Sequence, residues 1–278
     1  MSGTVSTAKA TGTATGTATG TGSRGPTALQ RLTALARAEL ALLGRNRGVV
    51  LTALLVPLTV PFSLQGAVNK MNLKEAGLTV GAVMLTAALG FTFLFAVYAS
   101  LVNAYVARRE ELVLKRLRTG ELSDAEILTG TALPALGLGL AQALLLWAGC
   151  AVLLHTGPPK APYLTVLGIV AGLVLSAALA ALTASFTRSV ESSQVTALPL
   201  VFVSMLGSGI MFPADLMPDG LARICQFLPL SPAIRLVSGG LTGGMSAYET
   251  LGAVAGALAW VVVAVFAVRR WFRWESRR

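Results

Sequence analysis

The sequence predicts an all-α membrane protein with six transmembrane helices, and its composition and charge pattern support this fold class. Of its 278 residues, 54% are hydrophobic and only 12% are charged, whereas an average soluble domain has roughly 25% charged residues. Six uncharged runs each reach the length of about 20 residues that a spanning helix needs. These runs lack the alternating pattern of an outer-membrane barrel strand. The spans are predicted at about 48–69, 78–106, 129–155, 163–187, 194–212 and 249–268.

The basic residues are distributed unevenly over the connections between these spans. An even number of spans places both termini on one side, and that side holds seventeen of the twenty-two Lys and Arg residues. Cytoplasmic connections are enriched in basic residues. We therefore expect a multi-pass protein of the inner or plasma membrane with both termini in the cytoplasm. The net charge of +10 then reflects topology, and no nucleic-acid partner is expected.

The N-terminal part precedes the first predicted span. Residues 1–26 are rich in Thr, Gly and Ala, which predicts a disordered cytoplasmic tail, and no cleaved signal peptide is expected because an apolar centre is missing. The membrane domain is predicted to occupy 27–278. Within it, Leu29, Leu32, Ala36, Leu40 and Leu43 recur at helical spacing. This favours a helix in the membrane interface, with a plain lead-in to the first span as the alternative.

The connection between the second and third spans carries a dense set of charges. Glu111 and Lys115 form an i,i+4 pair in the favourable order, which predicts a short helix. Gly120 can end this helix. Ser123 and Glu126 have the spacing of a capping box that begins the third span.

The segment 213–249, between the fifth and sixth spans, has four prolines and a glycine-rich patch. Its apolar pieces are too short to cross a bilayer. They predict re-entrant or interfacial helices before the last span.

No catalytic or metal-binding motif is apparent in the sequence. None of the five lysines follows a glycine, so the phosphate-binding loop Gly-x4-Gly-Lys-Ser/Thr is absent. One histidine and two separated cysteines predict no metal or thiol site. The chain is therefore not expected to be an enzyme or to bind a cofactor, and any use of ATP requires a partner.

Two segments resemble the type-2 ABC transporter permeases. The first reads Arg-Glu-Glu-Leu-Val-Leu-Lys-Arg-Leu-Arg-Thr-Gly-Glu-Leu-Ser, from 109 to 123, after the second predicted span. The second comprises Met-Phe-Pro-Ala-Asp-Leu-Met-Pro at 211–218 and Leu-Pro-Leu-Ser-Pro at 228–232. The chain departs from the family at Gly120-Glu121, where many members have a proline before Leu-Ser.

The resemblance implies a drug, antibiotic or lipid-linked-compound exporter, as in multidrug efflux. Two permease subunits, either identical or paralogous, would pair in the lipid membrane, and two ATPase subunits would bind ATP and Mg²⁺ beneath them. The ATPase-coupling loop would comprise Arg108, Arg109, Glu110, Glu111, Lys115, Arg116 and Arg118, with 187–193 as a lesser contact. The substrate pathway would follow spans two and five, where Tyr98, Asn103, Met205 and Met211 are candidates. Core packing is the alternative role of those four residues.

Two other functions compete with the permease. A membrane scaffold or assembly protein would fold and bind partners without ATP-driven transport. An ion-coupled secondary carrier would need no ATPase, but such carriers commonly place ionisable residues inside their spans, and the six runs contain none.

Overall fold

The computed structural model describes residues 55, 57, 59–61, 63, 65–71, 73, 77–111, 123–153 and 157–271. Every regular element in this part of the chain is helical, which confirms the all-α prediction. The α-helices are α1 Gln65–Val68, α2 Val80–Glu110, α3 Asp124–Leu153, α4 Pro162–Phe186, α5 Val190–Gly207, α6 Asp219–Cys225, α7 Ser231–Thr242 and α8 Ala247–Trp271.

Five of the described helices, α2, α3, α4, α5 and α8, are long and apolar enough to cross a membrane. Half of the first predicted span, 48–69, lies outside the described residues, so the count of six stays a prediction. The N-terminal tail and the helix expected at 27–47 also lie outside them. Between the last two spans, the short helices α6 and α7 occupy the segment for which re-entrant or interfacial helices are predicted.

Helix α2 forms the centre of the bundle. It is buried along nearly its whole length and packs against α3, α4, α5 and α7. Its middle, Thr92–Ala99, is π-helical. Close packing there depends on a glycine of α4, because a Cβ atom at Gly172 would overlap the Phe93 ring. Small residues at such crossings let membrane helices approach each other.

Helix α3 begins with the predicted capping box. The backbone N–H of Ser123 donates to Glu126 Oε2 over 2.8 Å, and the N–H of Glu126 donates to Ser123 Oγ over 3.3 Å. Both bonds satisfy amide groups that the first turn of a helix leaves without partners. The sequence prediction of this helix start is confirmed.

Helix α7 packs against the first half of α4. A Cβ atom at Gly168 of α4 would lie 2.7 Å from the backbone nitrogen of Val237, so the two backbones nearly touch. The N–H of Ala161 donates to the carbonyl of Gly240 over 2.9 Å. These contacts tie the end of α7 to the start of α4.

The connections between helices lie at the two ends of the bundle. We name these the Arg109 end and the Lys160 end, each after a residue that lies there. The Arg109 end holds the ends of α2, α4 and α8 and the beginnings of α3 and α5. The Tyr105 hydroxyl donates to the carbonyl of Leu128 there, over 3.0 Å, and the rings of Phe186 and Trp271 lie 5.8 Å apart. The Lys160 end holds the beginnings of α2, α4 and α8 and the end of α7.

Candidate functional site

The predicted coupling loop begins in the last turn of α2, at the Arg109 end. Arg108, Arg109 and Glu110 belong to that helix, and Glu111 follows it. Lys115, Arg116 and Arg118 lie outside the described residues. The coupling role of the loop therefore stays a prediction, but its first residues can be placed.

Arg109 is buried within the chain, with 1% of its surface exposed. Its guanidinium donates from Nη1 to the carbonyl of Ala184, over 2.9 Å, and from Nη2 to the carbonyl of Thr187. A longer bond of 3.4 Å reaches the carbonyl of Arg188. The last carbonyls of a helix have no partners within it and carry partial negative charge, so a cation there is stabilising. Arg109 thus closes the end of α4, and its buried side chain cannot contact a docking protein.

Glu110 serves the next helix in the chain. Its Oε1 accepts a hydrogen bond from the backbone N–H of Val190, the first residue of α5, over 3.2 Å. Ser189 and Ser192 complete this cap, because each side chain accepts from the backbone N–H of the other over 3.2 and 3.0 Å. A carboxylate at a helix N-terminus is also favoured by the helix dipole.

These bonds join the two loops that the sequence predicts as cytoplasmic contacts. Arg109 and Glu110 bind at the two ends of the connection 187–189, the cation at the carbonyl end of α4 and the anion at the amide end of α5. The sequence pattern predicts a surface loop for both residues and does not reveal this role. The Arg-Glu pair and Ser189-x-x-Ser192 were the available signals, but about 80 residues separate the partners.

Helix α5 is attached to the bundle mainly through the end of α2. Most of its contacts are with Ser100–Glu110, and few are with α4. Its opposite face is apolar and exposed within this chain. That face consists of Val195, Leu198, Phe202 and Leu206, spaced by three or four residues.

The four predicted pathway residues do not form one site in the structure. Tyr98 is fully buried, and its hydroxyl lies 3.0 Å from the Thr183 hydroxyl of α4, so it packs between helices. Asn103 is half-buried in the last part of α2. Met205 and Met211 come together at the end of α5, where the N–H of Met211 donates to the carbonyl of Met205 over 3.2 Å. A pathway role is untested for all four.

A cleft of about 830 Å³ opens between α3, α4 and α8 near the Arg109 end. Its walls are mostly Leu, Val and Ala, with Asp124 and Arg269 among the few charged residues that line it. Within the described part of the chain, no group of three or more His, Cys, Asp or Glu residues is placed to hold a metal ion. The geometry is that of an apolar bundle with organised polar contacts at its ends.

Comparison with known families identifies this bundle. The family model for the ABC-2 type transporter matches residues 30–242, which include α1 to α7 and exclude α8. No curated protein matches the chain significantly. The match covers well over half of the chain, agrees with the resemblance seen in the two sequence segments, and shows that this protein belongs to the ABC-2 type transporter family.

Proposed function

We propose that this chain, a membrane component of an ABC transporter, is the permease of an exporter driven by a separate ATPase subunit. The observations that carry this proposal are the hydrogen bonds that Arg109 donates to the carbonyls of Ala184 and Thr187, and the one that Glu110 accepts from the backbone N–H of Val190. They give the end of α2 direct mechanical contact with α4 and α5. A force applied to the charged loop after α2 would therefore reach both helices.

The proposed mechanism begins at the cytoplasmic face, which we assign to the Arg109 end because the basic connections gather there. ATPase subunits would dock against Glu111 and the following residues of the loop. Their closure on ATP would shift the end of α2. Because α5 is held mainly by that part of α2, α5 would move with it.

A second permease copy would complete the pathway. The exposed apolar face of α5, with Val195, Leu198 and Phe202, is the surface we assign to this contact. Movement of α5 in each copy would then widen or narrow the space between the two copies. The substrate we assign is an apolar or amphipathic compound, because membrane-facing walls of this composition offer few charged groups.

The test compares ATPase binding by the wild type and by two charge-reversal variants. The loop variant is Glu111→Lys with Lys115→Glu and Arg118→Glu, which leaves Arg109 and Glu110 intact. The control is Lys70→Glu with Arg223→Glu, two exposed residues away from the Arg109 end. Each is co-purified from membranes with candidate ABC ATPases, and ATP hydrolysis is measured.

We expect the loop variant to lose most ATPase binding while the control keeps it and both reach the membrane in normal amounts. Equal binding by the two variants would contradict docking at this loop. If the wild type binds no ATPase at all, the permease assignment gives way to a scaffold or carrier.

A further inference from the structure

A second, more polar cavity lies at the Lys160 end of the bundle. It has a volume of about 320 Å³ and lies between the first turns of α2, the turn that follows α5, the helix α7 and the start of α8. Small-molecule sites span roughly 300–1,000 Å³. The cavity therefore suits a small molecule or the headgroup of a larger one.

Two hydroxyl groups in its wall have unused hydrogen-bonding capacity. Thr86 of α2 is 5% exposed and Ser208, after α5, is 3% exposed. Neither Oγ atom has a hydrogen-bond partner among the described residues, although both residues line the cavity. Burying a hydroxyl without a partner is unfavourable, and nearly all buried polar groups in proteins are paired. Both hydroxyls thus suit a ligand that supplies acceptors.

Arg235 of α7 places a positive charge at the same cavity. It lines both this space and a neighbouring one of about 380 Å³. Its Nη1 donates to Gln226 Oε1 over 3.3 Å, which uses one of the five N–H donors of a guanidinium. Such a group suits bidentate contact with a carboxylate or a phosphate.

Glu249 is the acidic residue in the wall, and it is engaged elsewhere. Its Oε2 accepts from the backbone N–H and the hydroxyl of Ser246, over 2.8 and 2.7 Å, at the start of α8. It also interacts electrostatically with Arg235. The negative charge of Glu249 partly offsets the positive charge of Arg235. An anion bound in the cavity would therefore lie away from Glu249.

The apolar remainder of the wall comes from Leu78, Ala82, Val83 and Met245. This apolar surface suits a ligand that has little hydrogen-bonding capacity outside its charged group. The cavity therefore combines one cation, two unpartnered hydroxyls and an alkyl-compatible surface.

We propose that this cavity binds a molecule bearing a carboxylate or phosphate, with the oxyanion held by Arg235, Thr86 and Ser208. The alkyl or glycerol part of the ligand lies against Leu78 and Val83. The site is contained in one copy of the chain and needs neither the ATPase nor a second permease. The test of this site is therefore independent of the test of the proposed function.

Native mass spectrometry of the purified full chain tests this site. The probes are dihexanoyl phosphatidic acid, inorganic phosphate and dihexanoyl glycerol, which lacks the phosphate. The variants are Arg235→Gln and the combined Thr86→Val and Ser208→Ala. Arg269→Gln is the matched control, because Arg269 lines the cleft at the other end.

We expect Arg235→Gln to weaken binding of the phosphate-bearing probes at least tenfold and the hydroxyl variant to weaken it severalfold, with Arg269→Gln unchanged. Stronger binding of phosphatidic acid than of inorganic phosphate would identify the ligand as a lipid headgroup. Equal binding of these two probes would identify it as a free anion. Both results support the oxyanion site. Retention of wild-type affinity by Arg235→Gln and the hydroxyl variant, or equal binding of dihexanoyl glycerol, overturns the proposal. Arg235→Lys, which keeps the charge, checks that loss of binding does not reflect misfolding.

Discussion

Arg109 and Glu110 are neighbours in the chain, and their side chains bind the ends of two different helices. The arginine donates to the carbonyls that end α4, and the glutamate accepts from the amide that begins α5. Each charge has the sign that its helix end favours. The pair therefore fixes the α4–α5 connection to α2.

Loss of the Arg109 side chain should destabilise the fold. Hydrogen bonds to charged groups contribute about 1.5–3 kcal/mol each, so we expect Arg109→Gln to lower the free energy of unfolding by about 2–4 kcal/mol. Arg270→Gln, at an exposed residue of α8, should have almost no effect. The measurement is the thermal unfolding midpoint of detergent-purified protein. Equal midpoints for the wild type and Arg109→Gln would show that the buried bonds contribute little.

Substitutions of Glu110 and Glu111 should have different effects, one on the transmission of movement to α5 and the other on ATPase binding. If both residues belonged only to a surface loop, the two substitutions would have the same effect. We expect Glu110→Ala to leave ATPase binding nearly intact but to reduce substrate-stimulated ATP hydrolysis severalfold, because it releases the start of α5 from α2. Glu111→Ala should instead weaken ATPase binding. The two adjacent variants are compared in the same reconstituted complex. The same defect in both would mean that the Glu110 cap has no transmission role.

The exposed face of α5 should lie near its equivalent in a second copy. We expect Val195→Cys to form disulfide-linked dimers in native membranes after Cys225 is replaced by serine. Phe266→Cys on α8 is the matched control, because both positions are 68% exposed within the chain. Dimers are scored on non-reducing gels. Preferential crosslinking at 266 would move the contact between copies from α5 to α8.

Gly172 should be intolerant of a methyl group. A Cβ atom there would overlap the Phe93 ring, and overpacking typically costs about 1–3 kcal/mol. Gly149→Ala is the control, because a Cβ atom at this helical glycine of α3 would meet nothing within 4 Å. Thermal unfolding should show a lower midpoint for Gly172→Ala and an unchanged or higher one for Gly149→Ala. A stable Gly172→Ala variant would mean that α2 and α4 can separate without loss.

The sequence predicts the helical class and the approximate position of the described spans, because hydropathy is a property of each segment alone. The ends of helices were harder to predict. The charge pattern ends the second span near 106, whereas α2 continues to Glu110, because α4 and α5 supply partners for its charged residues. The fifth span is predicted to reach 212, but α5 ends at Gly207, just before Gly209, which has a φ of +82°.

Contacts between distant segments account for what the sequence did not reveal at the candidate sites. A positively charged residue next to a predicted span is usually solvated, so nothing local marked Arg109 as buried. The cavity around Arg235 likewise depends on three helices and a turn that come together only in the fold. In contrast, the cap of α3 needs only Ser123 and Glu126, and it was found from their spacing.

The partners of Arg109 also impose an order on the synthesis of this protein. The ribosome makes α2 long before Ala184 and Thr187 exist, so during that interval the guanidinium must remain hydrated or be bound by other molecules. The end of α2 can reach its final place only once α4 has entered the membrane and the next residues have been added. A nascent chain halted before α4 should thus keep this arginine accessible to water, and the loss of that accessibility would mark the moment at which the bundle closes.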